Sequence, residues 1–77
     1  MIKSLPCIGI QYGKSKTGNQ FTKVWIDVTS CIPENDRIGV YSSTAFYNGV
    51  LPRNVLGKDV LCSFDRFGKV TDIDIIT

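Results

Sequence analysis

The strongest constraint on the fold is the strict alternation of side-chain types along residues 20–29. Successive side chains of a β-strand point to opposite faces, so this segment predicts a strand with two unlike faces. One face carries β-branched side chains typical of a core: Thr22, Val24, Ile26 and Val28. The other face carries Phe21, Lys23, Trp25 and Asp27. The second face is unusual because it places two large aromatic side chains outside the expected core.

Four further segments are rich in strand-forming residues or alternate in the same way: residues 5–12, 37–43, 60–67 and 70–76. In the first of them, Ile8 and Ile10 share a face. Turn-forming residues separate the strands at 13–19, 33–36 and 66–69, where Gly18 and Gly68 can supply a positive φ. Residues 43–56 are ambiguous between one helical turn and an irregular loop, and Pro52 argues against a long helix.

Five short strands with regularly spaced turns and little or no helix predict an all-β protein. A sheet that closes on itself protects its edges, which a small open sheet does not. We therefore expect residues 1–77 to form a single domain, a small five-stranded OB-like Greek-key barrel. An SH3-like barrel has a similar number of strands and stays open at this point.

The residue inventory argues against an enzyme. The chain has no histidine, so the usual general base and the Ser-His and Cys-His nucleophile pairs are absent. Cys7, Cys31 and Cys62 are widely spaced, and none belongs to a Cys-x-x-Cys pair. We expect packed thiols in a reducing compartment, with neither disulfide nor metal site. Neither a cofactor nor a small-molecule substrate is expected.

The net charge of +2 is small, but the charges are unevenly distributed. Before Asp27 the chain carries four lysines and no acidic residue, whereas from Asp27 onward it carries seven acids and five bases. A basic segment can attract phosphates even when the whole chain is nearly neutral. No apolar run is long enough to span a bilayer, and the chain starts without a secretion signal, so a cytoplasmic protein is expected.

Outward aromatic side chains next to lysines favour binding of single-stranded nucleic acid. Bases stack on aromatic rings, and cations pair with phosphates. The hypothesis rests on nine candidate residues: Lys14, Lys16, Phe21, Lys23, Trp25, Tyr41, Arg66, Phe67 and Lys69. Nothing in the sequence identifies a reader of the 2′-hydroxyl, so RNA could serve as well as DNA.

Each candidate also has a structural interpretation. Trp25 could pack under a loop or in a dimer interface, Phe67 could fold back over one barrel end, and the loop lysines could serve solubility. Tyr41 and Tyr47 could be half-buried aromatics, and for Tyr47 this is the preferred interpretation. The rival function is a protein-interaction module, SH3-like or an accessory or host-inhibitor protein of a phage, with Phe21 and Trp25 as its apolar patch.

Two motifs resemble the gene V family of filamentous-phage single-stranded-DNA-binding proteins. The segment at residues 15–21, Ser-Lys-Thr-Gly-Asn-Gln-Phe, is similar to the family's Ser-Arg-x-Gly-Lys-x-Tyr. The run at residues 63–68, Ser-Phe-Asp-Arg-Phe-Gly, is similar to the family's C-terminal hairpin, where an aromatic precedes Gly at the tip.

The resemblance implies roles for three residues. Lys16 takes the place of a phosphate-binding arginine, Phe21 that of a base-stacking tyrosine, and Phe67 that of the tip phenylalanine that contacts DNA. It also implies an OB-like fold, a homodimer and cooperative coating of replicating DNA in the host cytoplasm. Residues 43–56 have no clear match to the dimerisation loop of the family, and the chain is less basic than a strong coating protein.

Overall fold

The structure is a computed structural model that describes residues 2–76. It contains five antiparallel strands in one sheet: β1 (Ile2–Lys14), β2 (Gln20–Asp27), β3 (Ser42–Asn48), β4 (Asp59–Phe64) and β5 (Val70–Ile75). Within the described residues, helical structure is limited to three single turns of 3₁₀ helix, at Thr29–Cys31, Glu34–Asp36 and Arg53–Val55. The expected all-β class is confirmed. No helix in this part of the chain has the length and apolar character needed to cross a membrane.

The long strand β1 joins the two halves of the sheet. Its first half, residues 2–6, pairs with β4, and its second half, from Cys7 to Lys14, pairs with β2. A β-bulge inserts Ile8 between Cys7 and Gly9, which pair with consecutive residues of β2. A bulge bends a strand and increases its twist, and here it lies where β1 passes from one partner to the other.

The strands curl into a nearly closed barrel. Their order across the sheet is β3-β2-β1-β4-β5, and the outer strands β3 and β5 contact each other. Since every hydrogen-bonded neighbour is antiparallel, β3 and β5 run in the same direction where they meet. This arrangement confirms the five-stranded OB-like barrel expected from the strand count.

The core lies inside the barrel and consists of small and β-branched side chains. On β2 the inward residues Thr22, Val24 and Ile26 are fully buried, as the alternation predicts. The Thr22 hydroxyl donates to the Gly49 carbonyl at 2.9 Å and accepts from the Leu51 backbone N–H at 3.1 Å. The apolar core comprises Leu5, Cys7, Val24, Ile26, Ala45, Leu51, Val55, Val60, Cys62, Val70 and Ile73.

The predicted third strand at residues 37–43 is wrong. Residues 37–41 form a loop in which Ile38 and Val40 are 89% and 78% exposed. Gly39 has a φ of +89°, a left-handed conformation that interrupts an extended segment. The strand lies further along the chain at Ser42–Asn48, where one helical turn or an irregular loop was expected.

The two hairpin tips, residues 15–19 and 65–69, close with the same hydrogen bonds. In the first, Ser15 N–H donates to the Asn19 carbonyl, and Asn19 N–H donates back to the Ser15 hydroxyl. In the second, Asp65 N–H donates to the Lys69 carbonyl, and Lys69 N–H donates back to the Asp65 carboxylate. The fourth residue of each tip is a glycine with positive φ, as predicted: Gly18 at +87° and Gly68 at +81°.

Candidate nucleic-acid interface

The outward face of β1, β2 and β3 carries Phe21 and Trp25, two of the four predicted aromatic residues, within three cross-strand rows. The register of the strands places Gly9, Trp25 and Thr44 in the first row. The second row holds Gln11, Lys23 and Phe46. The third holds Gly13, Phe21 and Asn48. We call Phe21, Lys23, Trp25 and Phe46 the aromatic face.

Two glycines of β1 lie directly beneath two of these rings, and we call these two positions the glycine beds. A Cβ atom at Gly13 would stand 2.6 Å from Phe21 Cζ, so the Phe21 ring occupies the space of the missing side chain. A Cβ atom at Gly9 would stand 3.4 Å from Trp25 Cε3. A strand glycine often marks a close approach of another group, and here that group is an aromatic ring. The rings therefore lie close to the sheet, which explains why Phe21 and Trp25 are half-buried although they point outward.

The side chains of the aromatic face also contact one another. The rings of Phe21 and Phe46 meet edge to face, with centroids 5.5 Å apart and an interplanar angle of 74°. The Lys23 ammonium lies 5.1 Å from the centre of the Trp25 ring, a distance at which a cation is attracted to the ring. Phe46 is 60% exposed, so it offers the largest free ring surface of this face. These contacts form an apolar surface of aromatic rings that carries the positive charge of Lys23 among them.

Asp27 ends the face on the side of Trp25. Its carboxylate accepts the Thr29 backbone N–H at 2.9 Å. Hydrogen bonds from the Thr29 backbone and side chain lower the pKa of Asp27 below its usual value of 3.8. The carboxylate is thus negatively charged at neutral pH and limits the region that attracts phosphate.

The tip at residues 65–69 presents three of the predicted residues to solvent. Phe67 is 80% exposed, which excludes the interpretation that it folds back over the barrel end. The Arg66 guanidinium lies 5.1 Å from the centre of the Phe67 ring. The Asp65 carboxylate accepts the backbone N–H groups of Phe67 and Lys69, each at 2.9 Å. An internal carboxylate therefore orders a tip whose outer side chains are an aromatic and two cations.

The lysines of the first hairpin lie on different sides. Lys16 is exposed at the tip, as predicted for a phosphate contact. Lys14 is also exposed, but it alternates in phase with Tyr12 rather than with Gly13, so it lies on the sheet surface opposite the aromatic face. It lines a small depression together with Val50.

Tyr41 lies outside the aromatic face, in the loop before β3. Its backbone N–H donates to the Thr29 hydroxyl at 2.9 Å, and its carbonyl accepts from Val28 at 3.0 Å. The Tyr41 hydroxyl accepts the Ile38 backbone N–H at 3.0 Å. These bonds hold the half-buried side chain within its own loop, where it orders the residues around Ile38. Tyr47, as preferred from the sequence, is half-buried against the core.

Sequence reasoning missed Phe46 and the two glycine beds. Phe46 was overlooked because its segment was not assigned to a strand, although residues 44–47, Thr-Ala-Phe-Tyr, contain strand-forming residues. The glycines were overlooked because an unbroken alternation that starts from the buried residues Leu5 and Cys7 turns Gly9 and Gly13 inward. The bulge shifts this alternation: Ile8 is exposed, whereas Ile10 packs against the core.

The three thiols differ in environment. Cys7 and Cys62 are fully buried, and burial raises the pKa of Cys7 and brings that of Cys62 to about 11. Cys31 is half-buried in the 3₁₀ turn after β2, and all three are free. Among residues 2–76, no cluster of three cysteine, aspartate or glutamate side chains is arranged to hold a metal ion.

Comparison of the chain with protein-family models, curated proteins and solved structures finds no match. The resemblance to the gene V family stays a prediction that rests on the two tip motifs.

Proposed function

We propose that this protein binds single-stranded DNA without catalysis and without sequence preference, by stacking bases on the aromatic face. The observation that carries the proposal is the grouping of Phe21, Trp25 and Phe46 around Lys23 on the outward side of β2 and β3. Every base has a π-face, so a platform of this kind tolerates any sequence.

The position of the platform in the barrel also supports the proposal. OB-folds bind oligonucleotides on the face of their second and third strands and through the loops β1–β2 and β4–β5. In this chain the aromatic face lies on β2 and β3, and the two loops are the tips that carry Lys16 and Arg66 with Phe67. Lysine and arginine at the tips would contact phosphates, and Phe67 would stack on a further base.

The proposal extends to biological role. A sequence-tolerant single-strand binder encoded by a phage or mobile element would protect strands during replication, and the gene V resemblance adds a homodimer in the host cytoplasm. Light scattering of the purified protein with and without DNA would measure the oligomeric state.

A fluorescence titration tests the function, because Trp25 is the only tryptophan and lies in the aromatic face. Oligo-dT is added at low and at moderate salt, and a gel mobility assay is run in parallel. We expect quenching of Trp25 emission whose midpoint moves to higher oligonucleotide concentration as salt rises. The same titration with oligo-U measures any preference for DNA.

The matched variants are Phe46→Ala and Leu56→Ala. Both remove an exposed apolar side chain, but Leu56 lies outside the aromatic face, in the segment between β3 and β4, beside the 3₁₀ turn at Arg53–Val55. Loss of one stacked base costs about 1–3 kcal/mol, so Phe46→Ala should weaken binding by about 5- to 150-fold. Leu56→Ala should bind like the parent. No quenching and no mobility shift at low salt would refute the proposal and favour the protein-interaction module, whose aromatic interface responds little to salt.

A further inference from the structure

The two ends of the barrel are built differently. At one end, the segment that links β3 to β4 closes the interior: Leu51 and Val55 are buried there. Hydrogen bonds fix this segment to the barrel wall. The Tyr12 hydroxyl donates to the Leu51 carbonyl at 2.6 Å, and Gly57 N–H donates to the Cys7 carbonyl at 2.9 Å. Buried side chains therefore fill the barrel interior at this end.

The opposite end opens into a cavity of about 710 Å³, which we call the mouth. Lys3 alternates in phase with Leu5 and Cys7, so it occupies an inward position of β1 at the barrel's end. Inward positions of a small barrel are normally filled by core side chains. Here that position holds a lysine, and the interior stays open. The lining of the mouth includes Lys3, Val28, Cys31, Phe64, Asp65 and Arg66.

The lining combines an apolar wall with positive charge. Val28 and Phe64 are half-buried side chains that pack against the core and form the floor. Lys3 and Arg66 are exposed cations at the rim. The Asp65 carboxylate accepts two backbone N–H groups of its own tip. A flat, largely apolar group attached to an anion matches this chemistry, and a nucleobase with its phosphate is such a group.

The size and position of the mouth favour a nucleotide of the bound strand. Small-molecule sites are clefts of about 300–1,000 Å³, and the mouths of β-barrels are among their preferred places. The mouth shares a wall with the proposed interface. Arg66 and Gly68 flank Phe67 in the same tip, and Ser43 precedes Thr44, the end of the first row. A strand that leaves the aromatic face past this tip thus reaches the mouth.

We propose that the mouth receives one unstacked base of the bound strand, with the adjacent phosphate on Lys3 and Arg66. This inference rests on the proposed function and adds a pocket for a single base to the open stacking platform. A pocket of this kind would anchor the register of the strand, whereas stacking on the aromatic face alone leaves the strand free to slide.

Cys31 supplies a reporter inside the mouth. Cys7 and Cys62 are fully buried with raised pKa values, so both thiols react slowly in the folded protein. Alkylation of the native chain by N-ethylmaleimide should therefore occur first at Cys31. Peptide mass spectrometry identifies the modified residue, and Cys31→Ser removes the fast reaction.

The experiment measures the alkylation rate of Cys31 in the full chain with and without oligo-dT. When free oligonucleotide is about ten times its Kd, an occupied mouth should slow the reaction about tenfold. Lys3→Gln should reduce this protection at the same free oligonucleotide concentration, and Lys58→Gln, an exposed lysine in the segment of the closed end, should not.

Three results would overturn the inference, and they separate it from the proposed function. If oligo-dT quenches Trp25 but leaves the Cys31 rate unchanged, the strand binds without entering the mouth. Equal protection of the parent and Lys3→Gln would mean that the strand only covers the mouth. If oligo-dT neither quenches Trp25 nor shifts the protein on a gel, the proposed function fails and the inference with it.

Discussion

The two faces of β2 use side chains for opposite purposes. The inward residues Thr22, Val24 and Ile26 are fully buried and fill a thin core. The outward residues Phe21 and Trp25 are larger, yet they lie over glycines and contribute a surface instead of a core. In a chain of 77 residues, apolar area is scarce, and two of the largest side chains are kept outside. Stability and proposed binding therefore depend on alternate residues of one strand.

The largest expected effect comes from the inward face. Ile26→Ala should lower the free energy of unfolding by about 2–5 kcal/mol, because it leaves a cavity in a core with few side chains. Urea denaturation followed by circular dichroism measures this loss. If the alanine variant does not fold, Ile26→Val, with an expected loss of about 0.5–1.5 kcal/mol, provides the measurement. A change in oligo-dT affinity of folded Ile26→Val as large as that of Phe46→Ala would contradict the separation of the two faces.

A smaller effect is expected when the bed of the outward face is filled. Gly13→Ala places a methyl group 2.6 Å from Phe21 Cζ, so the ring must move off the sheet. We expect a loss of oligo-dT affinity of about 1–3 kcal/mol, the contribution of one stacked base. The titration of Trp25 emission measures it.

The matched variant is Gly9→Ala, whose methyl group would stand 3.4 Å from Trp25 Cε3, an ordinary contact. A glycine-to-alanine change that fits without strain stabilises by about 0.4–1 kcal/mol. We therefore expect Gly9→Ala to unfold at higher urea concentration than the parent. If Gly13→Ala and Gly9→Ala bind oligo-dT with the same affinity, the close contact of Phe21 with Gly13 is not what positions the Phe21 ring.

The side chains of the two tips should each contribute less to oligo-dT affinity than a stacking ring does. Their contribution should appear in the salt dependence of binding. Lys16→Gln should reduce the slope of log Kobs against log salt by about 0.7, the value for one phosphate contact on a single strand. Titrations at four or more salt concentrations measure the slope. Lys58→Gln changes the net charge equally, but Lys58 lies in the segment between β3 and β4, outside the aromatic face and both tips, so this variant should leave the slope unchanged. Equal slopes for Lys16→Gln and the parent would exclude a phosphate contact at this tip.

The smallest effect concerns Asp27 and pH. Its pKa is lowered in the folded protein, so its hydrogen bonds to Thr29 contribute stability above pH 3.8, its usual pKa. That contribution is lost as the pH falls through the lower pKa of the folded state. Asp27→Asn should therefore show a weaker fall in stability in this acidic range than the parent. Urea denaturation at a series of pH values below 5 makes the comparison, and parallel curves would contradict the assigned hydrogen bonds.

Local patterns were sufficient to predict most of the fold. The alternation of residues 20–29 identifies β2 and its two faces, and the glycine positions identify both hairpin tips. The third strand could not be placed in this way. Ile38 and Val40 alternate like strand residues but have no partner strand. In β3 only Ala45 is fully buried, and the strand depends on its pairing with β2. Pairing between distant segments is not encoded in a local period.

The candidate site was predictable in part, for the same reason. Phe21, Lys23, Trp25 and Phe67 lie outward as their local pattern indicates. Tyr41 was grouped with them on the basis of a strand that does not form. The contribution of Phe46 depends on the register of β3, and that of the glycine beds depends on the bulge at Ile8. A single inserted residue moves all later side chains of the strand to the opposite face, and no particular residue type predicts where the insertion occurs.

The two hairpin tips are closed by the same set of hydrogen bonds between their first, fourth and fifth residues, which suggests that one tip can replace the other. Either five-residue segment, 15–19 or 65–69, ends in the same pair of backbone bonds and the same side-chain cap from Ser15 or Asp65. We therefore expect a graft of one segment onto the other hairpin to leave the strands unchanged. Such grafts would give variants with no, one or two tip phenylalanines on the same barrel. The chain thus serves as a scaffold in which the ends of a binding surface are altered independently of its centre.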